Sequence, residues 1–469
     1  MARPHVVVIG GGFGGLQAVL GLQGAPVQVT LIDRRNHHLF QPLLYQVATG
    51  GLSPANIASP LRAIVKKQKN MRVLLETVTG VDVDRRQVLL GGSRLCYDTL
   101  VVAVGSQPNY FGKDKWIPLA PSLKNLDDAV SIRNRVLFAF EEAERESDIE
   151  QCRSWLTFVI IGGGATGVEL AGALGELKRQ TLKGNFRHVD PSNARVILLE
   201  AGDRILPTFP PRLSERAAHA LEHLGITVCT NTFATDIQPG RLIAQVRGTS
   251  TMEIQARTIL WTAGVQGSPL GEDIAYATKT QIDKHARLMV EPDLSIAGHS
   301  EILIVGDLAH CRDQHGQPLP AIAPVAIQEG RYVAKLLRAR LGGRVLPPFR
   351  YSDRGSMAAI GRGVAVVDLK WICFAGWLGW ITWLFVHLLY IVRFENRLLI
   401  LIQWAWNYFT RNRSARLITD QVSQIGEGPV QEGTRMDHGS GGGCLSPEEQ
   451  RDTTNPKFAK MRQRLGEDQ

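Results

Sequence analysis

Short apolar runs interrupted by clusters of glycine form the clearest pattern in the first half of the chain. The β-branched run 6–9 is followed by a glycine cluster at 10–15, by helical spacing over 16–23 and by a second apolar run at 27–32. The same order recurs between residues 156 and 199. Alternating strand and helix patterns are typical of parallel sheets covered by helices. We therefore predict an α/β protein with two copies of one strand–turn–helix–strand unit.

Further apolar runs lie between the two copies and after the second. We predict hairpin material at 73–83 and 87–90, strands at 99–104, 258–261 and 302–305, and a helix at 325–337. The late strand at 302–305 ends in glycine and an acid, which resembles the chemistry of the first unit. We therefore expect two interleaved domains, one comprising 1–125 and 265–340 and the other 126–264.

An uncharged stretch, WICFAGWLGWITWLFVHLLYIV, occupies residues 371–392, and another apolar stretch follows at 398–406. Its length reaches the ~20 residues that a helix needs to cross a bilayer. A spanning helix and one-sided attachment to the membrane are both open, and a buried core or dimer helix is a third reading; we favour one-sided attachment. Residues 341–420 are predicted to be a membrane-associating helical region, and 421–469, rich in Gly, Ser, Glu and Arg, a disordered tail.

Charge supports contact with lipid. The 469 residues carry a formal net charge of +9, which favours an anionic partner. Several arginines flank the most apolar region, namely Arg393, Arg397, Arg411, Arg413 and Arg416. This placement favours an anionic membrane surface over nucleic acid, and we predict no nucleic-acid partner.

The six cysteines are isolated from one another. They are Cys96, Cys152, Cys229, Cys311, Cys373 and Cys444. No CxxC motif and no metal-ligand spacing occurs among them, so we predict no metal site, no disulfide chemistry and a reducing compartment. The N-terminus passes directly into the first strand, without the pattern of a signal peptide.

The first glycine cluster satisfies the pattern GxGxxG between a strand and a helix. Gly10 permits the tight turn, Gly12 lets the backbone approach a pyrophosphate, and Gly15 allows close helix packing. Asp33 ends the next strand, at the spacing expected for an acid that binds a ribose diol. This combination predicts a dinucleotide site.

The second cluster, GGGATG at 162–167, satisfies the same pattern. Its acid is Glu200, and the longer separation requires an extended helix and a loop before the strand. A carboxylate there would repel a 2′-phosphate, which predicts NADH rather than NADPH. Two loops are explained most simply by resident FAD and exchanging NADH, because a flavin accepts a hydride; two nicotinamides are the alternative.

Three other strands end in glycine or acid. Gly105 and Asp307 are candidate contacts of the flavin and its ribityl or pyrophosphate groups, and the segment 261–264 ends in Gly264 where it could line the nicotinamide side.

Eight segments together resemble the type II NADH:quinone oxidoreductases, single-subunit flavoproteins that do not pump protons. The resemblance covers about residues 5–420, and its segments are GGGFGG, HHLFQPLLYQVATGGLSP, AVGSQPNYFG, GGGATGVELAGAL, LLEAGDRILP, GDLAH, APVAIQEGRYVA and YSDRGSMAAIGRGVAVV. It implies that Gln328 and the stretch 40–44 edge a quinone pocket. Many relatives have AQxAxQ where this chain has Pro324 in place of the first glutamine, which leaves the preferred quinone head group open.

The resulting site predictions fall into four groups. Those for FAD are Gly10, Gly12, Phe13, Gly14, Gly15, Asp33, Arg34, Gly105, Asp307 and Ala326. Those for NADH are Gly162, Gly164, Gly167, Glu169, Glu200 and Gly264. The quinone residues are Pro42, Leu43, Leu44, Pro324 and Gln328. The catalytic residues are Glu169, which could contact the nicotinamide or relay a proton, and Gln328.

The predicted activity is hydride transfer from NADH to FAD, followed by delivery of two electrons to a membrane quinone. The protein would act on the cytoplasmic face of the cell membrane, and a homodimer is compatible with this reading. A soluble NADH-dependent reductase of a small iron–sulfur carrier is the alternative enzyme. A membrane-tethered NADH and FAD redox sensor is the alternative of another class.

Overall fold

A computed structural model describes residues 3–248 and 250–419. The helices are α1 (Phe13–Gly21), α2 (Leu44–Ala48), α3 (Pro54–Ile57), α4 (Leu61–Ile64), α5 (Leu126–Arg145), α6 (Ile149–Trp155), α7 (Ala165–Glu176), α8 (Pro211–His223), α9 (Pro269–Thr278), α10 (Ala323–Leu341), α11 (Trp377–Tyr390) and α12 (Phe394–Thr410). Helix α7 continues into a π-helical turn at Leu177–Thr181.

The strands form several sheets of different sizes. In chain order they are β1 (His5–Ile9), β2 (Gln28–Asp33), β3 (His37–Leu39), β4 (Ala58–Pro60), β5 (Met71–Leu75), β6 (Val78–Asp82), β7 (Gln87–Leu90), β8 (Arg94–Cys96), β9 (Thr99–Val102), β10 (Ser106–Pro108), β11 (Thr157–Ile161), β12 (Arg195–Leu199), β13 (Ile226–Cys229), β14 (Thr232–Gln238), β15 (Arg241–Val246), β16 (Thr251–Gln255), β17 (Thr258–Trp261), β18 (Val265–Gly267), β19 (Leu288–Met289), β20 (Ser295–Ile296), β21 (His299–Ile304), β22 (Ala309–His310), β23 (Ser356–Gly361), β24 (Val364–Asp368) and β25 (Cys373–Gly376).

The larger sheet contains the first glycine loop. Its strand order is β20–β21–β9–β1–β2–β5, with parallel pairing throughout except between β20 and β21. Residues Val6–Ile9 of β1 are fully buried, as expected for a strand that is covered on both faces. Helices α1 and α10 pack together beside this sheet. The late strand β21 thus joins the sheet that contains the first glycine loop.

The predicted hairpin over 73–83 is wrong in its first half. Residues 71–75 form β5, which pairs with β2 at the edge of the larger sheet. Only β6 takes part in a hairpin. It pairs with β7, and β8 extends this separate antiparallel sheet. Both parts have the same apolar character, so the local pattern could not distinguish a sheet edge from a hairpin.

The second parallel sheet contains the second glycine loop, in the order β13–β12–β11–β17. Between α7 and β12 lie the π-helical turn and a short 3-10 turn at Pro191–Asn193. These insertions account for the long separation between the second loop and Glu200. Helix α5 leads from the first domain into the second, and Asn125 caps its N-terminus in a reciprocal arrangement with Asp128.

The C-terminal part of the described chain consists of the meander β23–β24–β25 followed by α11 and α12. The apolar stretch 371–392 is therefore a loop, a strand and a 14-residue helix. Among residues 3–419 apart from 249, no helix is long and apolar enough to cross a membrane. The beginning of this stretch completes a small sheet as β25, so residues 371–392 do not form one continuous helix. The predicted tail 421–469 lies outside the described residues.

Candidate active site

The first glycine loop connects β1 to α1 under tight steric limits. Gly10 has φ +100°, and a Cβ there would lie 2.4 Å from the carbonyl oxygen of Ala103. A Cβ on Gly15 would lie 1.9 Å from the carbonyl oxygen of Gly10. A Cβ on Gly12, in contrast, would meet no atom within 4 Å. The outer glycines are thus required for packing, and Gly12 faces open space next to the N-terminus of α1.

Asp33 closes this loop from the end of β2. Its Oδ2 accepts a hydrogen bond of 2.6 Å from the backbone N–H of Gly11, and its Oδ1 accepts one of 2.7 Å from Arg35. Arg34, predicted as a cofactor contact, is exposed. The acid therefore holds the turn and still has free lone pairs for a ligand hydroxyl.

The remaining predicted residues near this loop are packing residues. The ring of Phe13 makes edge contacts with His38 and Phe40 at centroid distances of 5.2 and 5.9 Å. Gly14 faces Val305 and the carbonyl oxygen of Ala326, so that α1 and α10 approach closely.

The second loop repeats the geometry of the first. Gly162 has φ +110°, a Cβ on Gly167 would lie 1.9 Å from the oxygen of Gly162, and a Cβ on Gly164 would meet nothing within 4 Å. Glu200 Oε2 accepts from the N–H of Gly163 at 2.6 Å, and its Oε1 accepts from Gly202 at 2.7 Å. In each loop, an acid thus accepts a hydrogen bond from the N–H of the second glycine, and the third glycine faces open space.

Other strand ends meet the two loops, because parallel strands have their carboxyl ends at the same edge of a sheet. In the first domain, Gly105 (φ +72°) follows β9, and a Cβ there would meet no atom within 4 Å. Asp307 follows β21 and accepts from Ser106 Oγ at 2.6 Å and from Lys124 Nζ at 3.2 Å. In the second domain, Gly264 (φ +76°) follows β17 and lies against Phe111.

Glu169 lies on α7 with its carboxyl group directed away from solvent. Burial raises its pKa to about 8, although the backbone N–H of Ala359 and the indole of Trp383 oppose this shift. The Ala359 N–H donates to Oε1 at 3.2 Å. Strand β23 can come this close because Gly172 on α7 has no side chain; a Cβ there would lie 1.6 Å from the carbonyl oxygen of Ile360. Glu169 therefore carries its proton at neutral pH.

A cavity of about 120 Å³ lies beside Glu169, between α2, α7, α11, α12 and β23. Aromatic and apolar side chains and a few polar groups form its wall, including Tyr45, Gln46, Glu169, Glu176, Trp380, Trp383, Trp404, Tyr408 and Arg413. Arg413 pairs with Glu176 at 2.8 Å inside this wall. A mostly apolar cavity with a few convergent polar groups is typical of a small-molecule site.

The predicted quinone residues do not line this cavity. Leu43 and Leu44 are buried in the core. Pro324 is in the first turn of α10, where it lacks a backbone N–H that would be unpaired in any case. Gln328 donates from Nε2 to the carbonyl oxygen of Ser352 at 2.9 Å and accepts from the Ser352 N–H at 3.0 Å. The oxygen and the nitrogen of the Gln328 amide thus both hold the loop at Ser352. Pro42, the remaining predicted quinone residue, is half-buried.

Several residues of interest were missed from sequence. Tyr45 and Gln46 directly follow the predicted stretch 40–44, so extending it by two residues would have found them. Glu329 follows Gln328; it is fully buried, accepts from the Gly306 N–H at 2.5 Å, and burial raises its pKa to about 8. His38 bonds through Nδ1 to the Gly11 carbonyl at 2.9 Å, and its buried Nε2 finds no partner among residues 3–248 and 250–419.

The cysteines remain separate in space. Cys96, Cys152, Cys229, Cys311 and Cys373 are all free thiols, and Cys444 lies outside the described residues. In the described ranges no three His, Cys, Asp or Glu side chains are grouped in a way that could hold a metal ion.

Comparison with known proteins agrees with this architecture. A family model described as pyridine nucleotide-disulphide oxidoreductase matches residues 4–330, which include both glycine loops. NDH2 from Plasmodium falciparum shares the fold, with a TM-score of 0.81 at 20% identity over 89% of this chain and 100% of that one. The paired loops and the two parallel sheets define the class, a two-domain dinucleotide oxidoreductase.

Relatives identify the family within this class. The chain is 42% identical to the type II NADH:quinone oxidoreductase Ndh of Mycobacterium tuberculosis, over 89% of this chain and 91% of that protein. It is 41% identical to NdhA of the same organism, over 90% of each. The chain belongs to the type II NADH:quinone oxidoreductases. The predicted family, α/β fold class, oxidoreductase activity and FAD and NADH cofactors are thereby confirmed.

Proposed function

We propose that this protein oxidises NADH and reduces a membrane quinone by means of bound FAD. The observation that carries the proposal is the combination of two glycine loops, each held by its own acid, with a cavity that contains a buried, protonated carboxyl group. Two dinucleotides and one further acceptor can thus be accommodated. We also propose the domain limits 1–125 with 265–340 for FAD and 126–264 for NADH.

FAD fits the first loop, because Gly12 faces open space while Gly10 and Gly15 are packed against backbone atoms. Gly12 and the N-terminus of α1 would hold the pyrophosphate, and Asp33 would accept from ribose hydroxyls. Gly105 and Asp307 would approach the remainder of the cofactor. When bound, FAD supplies the acceptor of the hydride and the donor of electrons to the quinone. Lys124 and Ser106 orient the Asp307 carboxylate, since both donate a hydrogen bond to it.

NADH fits the second loop for the same reasons. Gly164 faces open space and Glu200 stands at the end of β12, where it would bind the ribose diol. A 2′-phosphate would be placed against this carboxylate, so the site would disfavour NADPH. Gly264, on the neighbouring strand end, would lie on the nicotinamide side.

The quinone head group would enter the cavity beside Glu169. Conversion of a quinone to its hydroquinone consumes two protons, and the protonated Glu169 can donate one of them. We therefore retain Glu169 as a catalytic residue and assign it to the quinone rather than to the nicotinamide. Gln328 would act indirectly, by holding the loop at Ser352.

Contact with the membrane would be made through α11 and α12. Large apolar side chains are exposed on both helices and on the preceding loop, among them Trp371, Trp377, Leu378, Phe385, Phe394, Trp406 and Phe409. A soluble protein rarely exposes so many large apolar side chains on two consecutive helices without a partner. The side of the membrane would be cytoplasmic, and a homodimer is compatible with the same surface.

The arginines near these helices contribute less to this contact than the sequence suggested. Arg413 is paired with Glu176, and Arg397 donates to the backbone oxygens of Ile391 and Leu389. Arg411 at the end of α12 is exposed and would face anionic head groups. Apolar insertion would therefore dominate the attachment.

The proposal is tested by comparing electron acceptors under steady-state turnover. The purified protein should oxidise NADH rapidly with short-chain quinones and with quinones in vesicles, and slowly with small iron–sulfur proteins. Preference for the iron–sulfur carrier would favour the soluble reductase, and negligible turnover with every acceptor would favour a redox sensor.

A further inference from the structure

The hydroxyl group of Tyr45 projects into the cavity wall within an ordered chain of hydrogen bonds. The indole Nε1 of Trp404 donates to Gln46 Oε1 at 2.7 Å. The Gln46 Nε2 donates in turn to Tyr45 Oη at 3.1 Å. This chain joins α2 of the first domain to α12 of the C-terminal region, and all three side chains line the cavity.

The direction of this chain is determined by chemistry. An indole N–H can only donate, so the Gln46 amide must turn its oxygen towards Trp404. Its NH₂ group then faces Tyr45. The Tyr45 oxygen then accepts, and its own hydrogen must point elsewhere. Among the described residues, Tyr45 Oη has no acceptor for that hydrogen, although the side chain is buried. A buried donor without an acceptor costs free energy unless a ligand satisfies it.

The surroundings of Tyr45 determine the protonation state of its hydroxyl group. The ring lies 6.5 Å from the Trp383 ring, which itself contacts Glu169. Burial, with the nearby Glu169 second, raises the pKa of Tyr45 well above its ordinary value. The hydroxyl therefore keeps its proton at neutral pH and can act as a hydrogen-bond donor.

We propose that Tyr45 donates a hydrogen bond to a carbonyl oxygen of the quinone, and that Gln46 and Trp404 are positioning residues that orient this donor. This inference rests on the proposed function of the cavity. Conversion of the quinone to the hydroquinone takes two electrons from the reduced flavin and two protons, one from Glu169 and one from solvent water. As the electrons arrive and before the protons do, the carbonyl oxygens gain negative charge, and a preoriented donor stabilises that change. Tyr45 keeps its own proton, and Glu169 remains the proton donor.

The test uses Tyr45→Phe and Gln46→Glu in the full-length protein with its flavin. Phenylalanine removes only the hydroxyl. Glutamate presents only acceptors to Trp404 and Tyr45, so the tyrosine hydrogen should turn towards it and away from the substrate. Each variant should lower kcat/KM for a short-chain quinone by about tenfold, as expected for one hydrogen bond to a buried group. Reduction of the bound flavin by NADH, followed in the absence of quinone, should keep its wild-type rate.

Tyr97→Phe is the matched control, because the Tyr97 hydroxyl is also buried without a partner in the described part of the chain but does not line the cavity. Its kcat/KM should equal that of the wild type. The double variant Tyr45→Phe, Gln46→Glu should be no slower than Tyr45→Phe alone, since the orienting residue has nothing left to orient. Flavin content and melting temperature verify that each variant is folded.

Two outcomes would overturn the inference while leaving the proposed function intact: a wild-type kcat/KM for Tyr45→Phe, or additive losses in the double variant. If the wild-type protein itself reduces no quinone, the proposed function fails first. Equal loss in the NADH and quinone half-reactions would also contradict the inference, because it would indicate damage to the fold rather than loss of a substrate contact.

Discussion

Glu200 is the residue on which the choice between NADH and NADPH depends. Both of its oxygens are fixed by backbone N–H groups of Gly163 and Gly202, so its negative charge has a defined position. Glu200→Gln removes the charge and should reduce the preference for NADH over NADPH by about tenfold, or ~1.4 kcal/mol. The ratio of kcat/KM for the two nucleotides measures this. An unchanged ratio would mean that another residue excludes the 2′-phosphate.

Glu169 makes a prediction about pH. Because burial raises its pKa to about 8, the carboxyl group is protonated below pH 8 and loses its proton as the pH rises through this value. Reduction of quinone, which needs the proton, should therefore slow above pH 8, whereas reduction of the flavin by NADH should not. Glu169→Gln should lower the quinone step by about a hundredfold, a typical contribution of general acid catalysis, and abolish this alkaline decrease. A persistent decrease in the variant would assign it to another group.

At the scale of residues, the sequence identified site residues where the turn requires a glycine or the cofactor requires an acid at a fixed distance along the chain. Gly10, Gly15, Asp33 and their counterparts in the second domain could be found for this reason. Tyr45 and Trp383 could not be related to each other, because they are far apart in the chain and meet only after α2 and α11 pack. Gln328 was predicted to contact the quinone by resemblance, yet its amide is held by the backbone of Ser352.

At the scale of elements, the second glycine loop should respond differently to a methyl group at Gly164 and to one at Gly167. A Cβ on Gly164 meets open space, whereas one on Gly167 would collide with Gly162 at 1.9 Å. Gly164→Ala should therefore fold normally, because the added methyl occupies only the space intended for the pyrophosphate. Its KM for NADH should rise about tenfold or more, with little change in melting temperature.

Gly167→Ala is the matched comparison for Gly164→Ala. It should lower the melting temperature by several degrees, since the collision with the Gly162 backbone cannot be relieved by a rotamer change. Equal effects of the two substitutions on stability would contradict the assignment of open and closed positions in this loop.

Elements were predicted well where periodicity and glycine turns agree, and poorly where an apolar run has no internal boundary. The sequence anticipated β1, β2, β9, β11, β12, β17 and the late β21, but not β13 or β20. The stretch 371–392 was not resolved into β25 and α11, because a short apolar strand and an apolar helix have the same composition. The edge strand β5 was assigned to a hairpin for a similar reason.

At the scale of the whole molecule, attachment to the membrane should depend on the outer faces of α11 and α12. Phe385 and Phe409 are 62% and 81% exposed, so their replacement by serine removes no core contact. Each of Phe385→Ser and Phe409→Ser should weaken binding to anionic vesicles by about tenfold or more, as the loss of ~2 kcal/mol of apolar insertion implies. Flotation with vesicles measures the bound fraction.

Tyr276→Ser is the control for this experiment, because Tyr276 on α9 is also highly exposed but far along the chain from these helices. It should bind vesicles as the wild type does. Truncation before Trp371 is a poorer test, since Trp383 and Ile400 are buried in the core and their loss would unfold the region. Normal flotation of both phenylalanine variants would place the attachment elsewhere.

The central claim, that one chain connects NADH to a quinone through a resident flavin, is tested most directly by an anaerobic absorbance spectrum of the purified protein. Addition of NADH should bleach the flavin band near-stoichiometrically, and subsequent addition of a quinone should restore it. A flavin band that NADH does not bleach, or that bleaches but does not recover with quinone, would contradict the account.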